Sequence, residues 1–171
     1  MNINLNSNPG KQEVFEQVKK ELESNGFKVI NYDDTRPWGG FYVIDEGQAQ
    51  KFIEHFLNDV PQAHQNQSGK ISPKILIVES GKRLSWQYHH RRSEVWKVIG
   101  GEAGVIISDT DEQTPLQTKV KGDVIVLKQG ERHRLVGTNQ WGIIAEIWQH
   151  TEADNPSNED DIIRVEDDFG R

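Results

Sequence analysis

The sequence predicts a mainly β protein, an antiparallel sandwich or small barrel, preceded by an N-terminal helical segment. From residue 74 onward, short apolar runs are separated by Gly, Asp, Asn or Pro at roughly even spacing: KILIVES, EVWKVIGG, EAGVIIS, KGDVIVLK, HRLVG and WGIIAEIWQ. The spacing is typical of antiparallel strands and not of β–α–β units. The 171 residues can form one domain around one sizeable core, and the five Trp residues indicate a packed interior.

Two amphipathic helices are predicted before the β-rich part. In the first, residues 11–25, apolar residues recur every fourth position, and Gly26 supplies the end. The second spans roughly residues 47–58, and Pro61 lies beyond its end. Its apolar stripe follows the helical period and consists of Ala49, Phe52, Ile53, Phe56 and Leu57.

The remaining segments complete the predicted order. Residues 36–44, RPWGGFYVI, indicate a turn that runs into a strand, and residues 61–73 form a polar linker by composition. We therefore expect residues 1–73 to form an N-terminal helical extension that carries the RPWG strand and an inserted helix. Residues 74–171 are expected to form the barrel, with an acidic C-terminal segment.

The charge pattern argues against a nucleic-acid partner. The formal net charge is −7, and after residue 151 eight acids stand against only Arg164 and Arg171. The rest of the chain is close to neutral and offers no basic stripe for phosphates. With no cysteine, a disulfide or a thiolate metal site is excluded. No apolar run approaches the length of a membrane span, and we expect a soluble cytoplasmic protein without a membrane partner.

Four potential metal ligands fall close together in the β-rich part. Gln87, His89 and Glu94 lie within eight residues of one another, and His133 follows in a second glycine-started segment. Residues two apart on a strand project to one face, so Gln87 and His89 should point inward together. Glu94 would return from the next strand on the alternation that continues with Trp96. A buried carboxylate also needs a cation nearby, and the set predicts a divalent metal site.

The spacing of these residues resembles the two motifs of the cupin superfamily. The first motif is matched from Gly81 to Gly101, with Gln87 where the family has its first histidine. The second is matched by Gly122, Gly130 and His133, whereas Lys128 and Gly137 replace its proline and asparagine. This resemblance implies a double-stranded β-helix, the cupin jelly-roll barrel, and it implies that Gln87, His89, Glu94 and His133 bind the metal.

A closer resemblance is to the cupin domain of type II phosphomannose isomerases. It is carried by RPWGGFY, GKRLSWQYHHRRSEVWKVIGGEA, HRL and the terminal EDDIIRVEDDFGR. In that family the domain is commonly fused behind a guanylyltransferase domain, and we expect no guanylyltransferase activity from these 171 residues. Two positions depart from the family: its histidine run continues with Arg91 here, and the residue after Glu94 is Val95 instead of histidine.

The resemblance implies isomerisation of mannose 6-phosphate to fructose 6-phosphate. Such a reaction moves a proton between C1 and C2, and a divalent metal can stabilise the enediolate charge. Zinc is the first expectation, and manganese, cobalt or nickel also suit imidazole and oxygen ligands. For the catalytic groups near the motifs, the sequence offers His90, Glu131 and Arg164. Arg164 is singled out because it lies among the acids of the terminal motif.

A sugar phosphate also requires cations for its phosphate. Those nearest the motifs are Arg92, Lys97, Arg132 and Arg134. The changes at Arg91 and Val95 leave two alternatives open, namely an isomerase or epimerase of another sugar phosphate such as a phosphoheptose, and a sugar-binding cupin without turnover. Exposed sheet edges are compatible with a homodimer.

Overall fold

In a computed structural model of the chain, which describes residues 1–65 and 69–170, nine strands and two α-helices form an antiparallel barrel with a helical layer. The helices are α1 (Lys11–Ser24) and α2 (Ala49–Phe56), so both predicted helices are present. Neither is long and apolar enough to cross a membrane. The predicted linker contains a 3-10 helix at Pro61–His64, and its residues 66–68 lie outside the described residues.

All strand pairings in the described chain are antiparallel. The strands are β1 (Val29–Asp33), β2 (Gly39–Ile44), β3 (Ile71–Val78), β4 (Trp86–Tyr88), β5 (Arg92–Ser108), β6 (Gln117–Val120), β7 (Val124–Leu127), β8 (Arg132–His150) and β9 (Ile163–Glu166). One sheet path runs β1-β2-β3-β8-β4-β9, and β5 pairs with β6, β7 and β8. The predicted boundary after residue 73 lies within β3, and the division of the chain stays a prediction.

Two strands are much longer than the sequence pattern suggested. The runs EVWKVIGG and EAGVIIS form one strand, β5, and HRLVG and WGIIAEIWQ form one strand, β8. The glycines between these runs bend the strand instead of ending it, because β5 is bulged against β8 between Val98 and Gly100 and between Gly101 and Ala103. Gly101 has φ +65°, and a Cβ there would lie 1.8 Å from the Trp141 carbonyl oxygen.

Strand β1 was not predicted from the sequence. Its side chains do not alternate between buried and exposed, and Ile30 and Tyr32 are more than half exposed. It forms one edge of the sheet path and pairs with β2. The hydrophobic periodicity that marks a half-buried strand is therefore missing.

The sheet separates two hydrophobic cores. The outer core lies between the sheet and the helices, and the inner core fills the barrel. Strand β8 serves both, because Ile143, Ala145 and Ile147 face the outer core while Ile144 faces the inner one. The same alternation sends Glu146 and Trp148 toward the barrel interior.

The acidic C-terminal segment is bound to the barrel. Strand β9 pairs with β4 and places Arg164 opposite Gln87. Farther along, Arg83 Nε donates to Asp168 at 2.6 Å, and the fully buried Arg134 donates to the Glu166 carbonyl at 3.3 Å. The segment therefore closes one side of the barrel beside the predicted ligands; its last residue, at 171, lies outside the described residues.

Candidate metal centre and cavity

His89, Glu94 and His133 form a buried cluster whose ligand atoms all lie within 4.8 Å of one another. His89 follows β4, Glu94 lies on β5 and His133 lies on β8. The Nε2 atom of His89 is 3.3 Å from Glu94 Oε1, and His133 Nε2 is 3.7 Å from Glu94 Oε2. Each side chain is 2–3% exposed. The barrel thus brings together three of the four predicted ligands as the sequence alternation required.

Hydrogen bonds from Nδ1 to backbone carbonyl groups orient both imidazoles for a cation. His89 Nδ1 lies 2.7 Å from the Asp161 carbonyl, and His133 Nδ1 lies 3.0 Å from the Glu131 carbonyl. Because a carbonyl only accepts, the proton of each ring lies on Nδ1, and each Nε2 presents a lone pair to the cluster. His133 Nε2 is buried without a hydrogen-bond partner among the described residues. A divalent ion between these atoms would satisfy it, so the donor set fits a metal.

Burial and charge favour the same protonation states. Burial lowers the pKa of His89 to about 3 and also lowers the pKa of His133, so both rings are neutral at pH 7. Burial alone would raise the pKa of Glu94, but the Arg92 guanidinium, with smaller contributions from the His89 and His133 imidazoles, outweighs it and holds the pKa well below its usual range. Two neutral imidazoles and one carboxylate are the forms that bind a divalent cation.

Gln87, the fourth predicted ligand, lies beside this cluster. Its Nε2 is 3.4 Å from His89 Nε2, and its Oε1 accepts from Ser85 Oγ at 2.5 Å. In this orientation the amide donates toward the imidazole lone pair. Rotating the amide by half a turn would present the carbonyl oxygen, which is the form that could bind a cation.

Asp161, in the terminal motif, positions the predicted ligand His89 by holding the two residues that follow it. Its carboxylate accepts from the backbone N–H groups of His90 and Arg91 at 2.9 and 3.0 Å and from Ser157 Oγ at 2.6 Å. Burial would raise its pKa, but these hydrogen bonds outweigh it and lower the pKa to about 2. These contacts hold the turn that carries His89.

Glu94 and Gln87 also line a cavity that opens from the cluster. Its walls combine cations with aromatic rings. The lining residues include Arg36, Trp38, Lys74, Arg92, Glu146 and Arg164. Arg92 is 6% exposed and donates from Nε to Glu94 Oε1 at 2.8 Å, while its guanidinium stacks on Trp148, 3.6 Å from the ring centroid. Of the predicted catalytic and substrate-binding residues, Arg92 and Arg164 therefore lie at the cavity.

A second buried carboxyl group, Glu146, lies in the same cavity. It is 4% exposed, and Trp148 Nε1 donates to its Oε1 at 2.8 Å. Burial, followed by the charge of Glu94, raises its pKa to about 8. Lys74 lies nearby in the wall, 7% exposed, with Nζ 2.7 Å from Glu159.

Neither of the two predicted proton carriers lines the cavity. His90 is exposed, its ring packs against the edge of Tyr88, and its carbonyl accepts from Gln129. Glu131 accepts from the Lys128 backbone N–H at 3.1 Å and so closes the turn before β8. Their roles stay predictions that this placement does not support.

Three predicted phosphate ligands also lie elsewhere. Lys97 points to the outer face of β5 and pairs with Asp59 at 2.6 Å. Arg132 pairs with Asp111 at 2.8 Å and stacks on Tyr88. Arg134 donates to the Leu84 carbonyl at 2.8 Å and is enclosed by the C-terminal segment. Alternation along β5 and β8 turns these side chains away from the metal ligands.

Sequence reasoning missed Lys74 and Glu146 as cavity residues. Each is a single charge inside an otherwise apolar run, in KILIV and IIAEIW. A charge at an inward position of a buried strand is costly unless it has a function or a partner. That signal was available, but it required knowing which face of each strand points inward.

A family model described as Mannose-6-phosphate isomerase C-terminal matches residues 60–167. The chain is 31% identical over 156 residues to the alginate biosynthesis protein AlgA of Pseudomonas aeruginosa, covering 90% of this chain and 26% of that protein. It is 32% identical over 162 residues to the xanthan biosynthesis protein XanB of Xanthomonas campestris, covering 94% of this chain and 28% of that protein. The chain thus spans about a quarter of the length of these relatives.

Among solved structures, the chain resembles Bacillus subtilis oxalate decarboxylase OxdC with a TM-score of 0.53. The identity is 13%, and the match covers 78% of this chain and 30% of that one. This likeness concerns the fold alone, and it confirms the predicted cupin barrel with its N-terminal helix. The family model spans more than half of the chain, and the motifs at Gly81–Gly101 and in the terminal segment agree with it. The chain belongs to the mannose-6-phosphate isomerase C-terminal family, with the cupin fold.

Proposed function

We propose that this protein is a metal-dependent aldose–ketose isomerase that interconverts mannose 6-phosphate and fructose 6-phosphate. The observation that carries the proposal is the His89–Glu94–His133 cluster at a cavity lined by cations, aromatic rings and a second carboxyl group. Membership of the family supports the substrate class. The cytoplasmic location and the homodimer stay predictions.

The metal would be held by His89, Glu94 and His133, with Gln87 as a fourth ligand after rotation of its amide. When bound, a divalent ion supplies Lewis-acid stabilisation for negative charge that develops on the C1 and C2 oxygens. Zinc suits two imidazoles, and the oxygen ligands also admit manganese, cobalt or nickel.

The proton transfer between C1 and C2 needs a group inside the cavity, and we assign it to Glu146. Its carboxyl is buried in the cavity wall, and the hydrogen bond from Trp148 fixes one oxygen. A pKa of about 8 lies near neutral pH, where a carboxyl group can both accept and return a proton. Aromatic rings line the cavity beside it, and a lining that limits water favours return of the same proton to the sugar.

Two arginines have different proposed tasks. Arg92 orients Glu94 through its Nε donor and so acts on the metal ligand. Arg164 lines the cavity opposite Gln87 and is proposed to contact a substrate oxygen.

The proposal is tested by incubating the purified protein with mannose 6-phosphate after separate loading with zinc, manganese, cobalt or nickel. Fructose 6-phosphate should appear, and deuterium from solvent should enter C1 or C2 of the recovered sugar to a degree set by exchange at the proton carrier. Absence of product with every metal would contradict the proposal. A panel of other sugar phosphates separates the alternative isomerase, and binding without turnover indicates the non-catalytic alternative.

One observation bears on those alternatives. Val95, where the family has histidine, is fully buried in the outer core, and Arg91 points to the C-terminal segment near Asp161. Neither side chain lines the cavity among the described residues. These two departures therefore give little reason to expect a different sugar.

Replacing Glu146 with glutamine should lower kcat by about 100-fold or more, since proton transfer by a positioned group contributes about that factor. Bound metal should be retained, because Glu146 is not in the ligand cluster. Steady-state kinetics and elemental analysis measure the two effects. If His90→Ala or Glu131→Gln lowers kcat more than Glu146→Gln does, the sequence prediction for that residue is preferred.

Replacing His133 with glutamine should weaken divalent-metal binding by about 100-fold, since loss of a ligand exceeds the effect of losing an outer-shell partner. His150→Gln is the matched control, because His150 is equally buried but outside the cluster. Competition with a chelator measures both affinities. Equal affinities in the two variants would reject the metal site.

A further inference from the structure

Cations and aromatic rings alternate along one wall of the cavity. The Arg36 guanidinium carbon lies 5.7 Å from the Phe41 ring centroid, and Lys74 Nζ lies 4.3 Å from the same centroid. Lys74 Nζ is also 4.6 Å from the Trp148 ring, which carries Arg92 at 3.6 Å. We call these five residues the cation–aromatic wall. It runs from the RPWG turn to the guanidinium that holds Glu94.

Lys74 has an unusual position within this wall. It is 7% exposed at an inward position of β3, and its one carboxylate partner among the described residues is Glu159 at 2.7 Å. Glu159 is itself 65% exposed. A buried ammonium group requires strong compensation, and an ammonium has three donors. An exposed surface carboxylate is therefore a partner that an incoming anion can replace.

A second donor in the same cavity has no partner. Trp38 is 4% exposed, and its indole Nε1 is buried without a hydrogen bond among the described residues. A buried N–H without an acceptor costs about 1–3 kcal/mol. Trp38 and Lys74 line the same cavity, and Arg36 stands at the turn two residues before Trp38. An acceptor placed in the cavity could satisfy the indole and the ammonium together.

The carboxyl groups of the cavity do not cancel this positive charge. Glu94 is paired with Arg92. Burial holds the pKa of Glu146 at about 8, so that this group is mainly neutral at pH 7. Glu159 is 65% exposed. Arg36 pairs with Asp33 at 2.9 Å, so the charge that remains near Trp38 when Glu159 is displaced is that of Lys74, which suits an anion.

We propose that Lys74 and the indole N–H of Trp38, with Arg36 beside them, bind the phosphoryl group of the substrate in place of Glu159. This inference rests on the proposed function for the identity of the ligand, a phosphate monoester. The wall then sets the direction of the substrate: the phosphoryl group lies at Lys74, and the reacting carbons lie toward Glu94, with Trp148 between the two ends. The aromatic rings would contact the carbon chain of the sugar.

The test uses Trp38→Phe and Lys74→Met in the full, metal-loaded chain. Trp38→Phe removes the N–H and keeps an aromatic ring, and Lys74→Met removes the charge and keeps the length. Each should weaken binding of inorganic phosphate about tenfold or more, the ratio that one lost hydrogen bond of about 1.4 kcal/mol gives. KM for mannose 6-phosphate should rise by a similar factor. Lys70→Met and Trp141→Phe are matched controls outside the cavity.

Glu159→Gln provides a test in the opposite direction. Because Glu159 competes with the anion for Lys74, its replacement should tighten phosphate binding, which a merely structural role of Lys74 would not produce. Calorimetry with inorganic phosphate measures all variants. Unchanged phosphate affinity in both Trp38→Phe and Lys74→Met, or no phosphate binding by the wild type, would overturn the inference. If Lys74→Met does not fold, Trp38→Phe and Glu159→Gln decide.

These outcomes separate the two proposals. Phosphate binding that depends on Trp38 and Lys74 without any isomerisation supports the subsite and rejects the isomerase. Isomerisation with a KM that neither variant changes supports the isomerase and rejects the subsite.

Discussion

Glu94 and Glu146 lie on paired strands and share their burial and one type of hydrogen-bond donor, yet their acid–base properties are opposite. Each is nearly fully buried, and each accepts a hydrogen bond from the indole of the tryptophan two residues later on its own strand: Trp96 to Glu94 at 2.9 Å and Trp148 to Glu146 at 2.8 Å. In the strand register Glu94 stands opposite Trp148, and Trp96 opposite Glu146. Each glutamate therefore lies opposite the tryptophan that donates to the other glutamate.

The Arg92 guanidinium contributes most to the difference. Burial raises the pKa of both carboxyls, but at Glu94 the charge and hydrogen bond of Arg92, together with the His89 and His133 imidazoles, reverse the effect. At Glu146 the charges of Lys74 and Arg92 lower the pKa without outweighing burial. Glu146 has no guanidinium donor among the described residues, and the charge of Glu94 adds to the effect of burial. One carboxyl is therefore ionised, as a metal ligand must be, and the other is neutral near pH 7, as a proton carrier can be. Burial alone does not determine the role of a carboxyl group.

The largest difference between Glu94 and Glu146 is expected in the effect that replacing each has on the free energy of unfolding. In metal-free protein at pH 6, Glu94→Gln should lower the free energy of unfolding by about 3–5 kcal/mol, because it leaves the buried Arg92 without its counter-charge. Glu146→Gln should instead raise it by about 2 kcal/mol, because the amide replaces a neutral acid of the same shape and removes the cost of protonating in the fold a carboxyl that is ionised in the unfolded chain. Urea unfolding measures both. Equal losses in the two variants would remove the contrast between the carboxyls.

The second-largest difference between the two carboxyls is expected in how the free energy of unfolding depends on pH. The folded state holds the proton on Glu146 up to about pH 8, whereas the unfolded chain releases it near 4.5. The folded state thus binds more protons between these values, and its stability falls as pH rises, by at most about 1.4 kcal/mol per pH unit. Glu146→Gln should lose this component. The comparison is the unfolding free energy of wild type minus variant from pH 5 to 9; a difference independent of pH would contradict the raised pKa.

The smallest difference is expected between the stability contributions of the two indole donors, Trp96 and Trp148. Trp96→Phe removes a hydrogen bond to an ionised carboxylate, worth about 1.5–3 kcal/mol, and Trp148→Phe removes one to a neutral acid, worth about 0.5–1.5 kcal/mol. Both substitutions leave a similar gap, so the difference between them, about 1 kcal/mol, is informative. Double-mutant cycles with the respective Glu→Gln variants isolate each bond. A larger coupling for Trp148 than for Trp96 would indicate that Glu146 is the ionised member.

Local pattern was sufficient for the elements that follow one simple rule. Both helices were predicted because their apolar stripes follow the helical period, and the inward set of His89, Glu94 and His133 followed from strand alternation and motif spacing. Strand β1 was missed because an exposed edge strand lacks that alternation. The four runs that became β5 and β8 were separated because a glycine bend and a glycine turn look the same in sequence.

The placement of the other charged residues could not be predicted in the same way. Arg132 and Arg134 flank a metal ligand in sequence and lie away from the cavity, whereas Lys74 and Glu146 are distant in sequence and line it. Nearness along the chain does not give nearness in space, because neighbouring strand residues point to opposite faces. Lys74, Glu146 and Trp38 meet only through the pairing of β2 with β3 and of β3 with β8.

By itself the sequence determined the barrel class and the N-terminal helix and predicted the candidate metal ligands, because these depend on periodicity and on residue types at short spacing. The tertiary structure alone decided which carboxyl is ionised and which cations face the cavity. Those properties depend on burial and on which side chains face each other in the folded barrel: Arg92 donates a hydrogen bond to Glu94, whereas it acts on Glu146, on a strand distant in sequence, only through its charge.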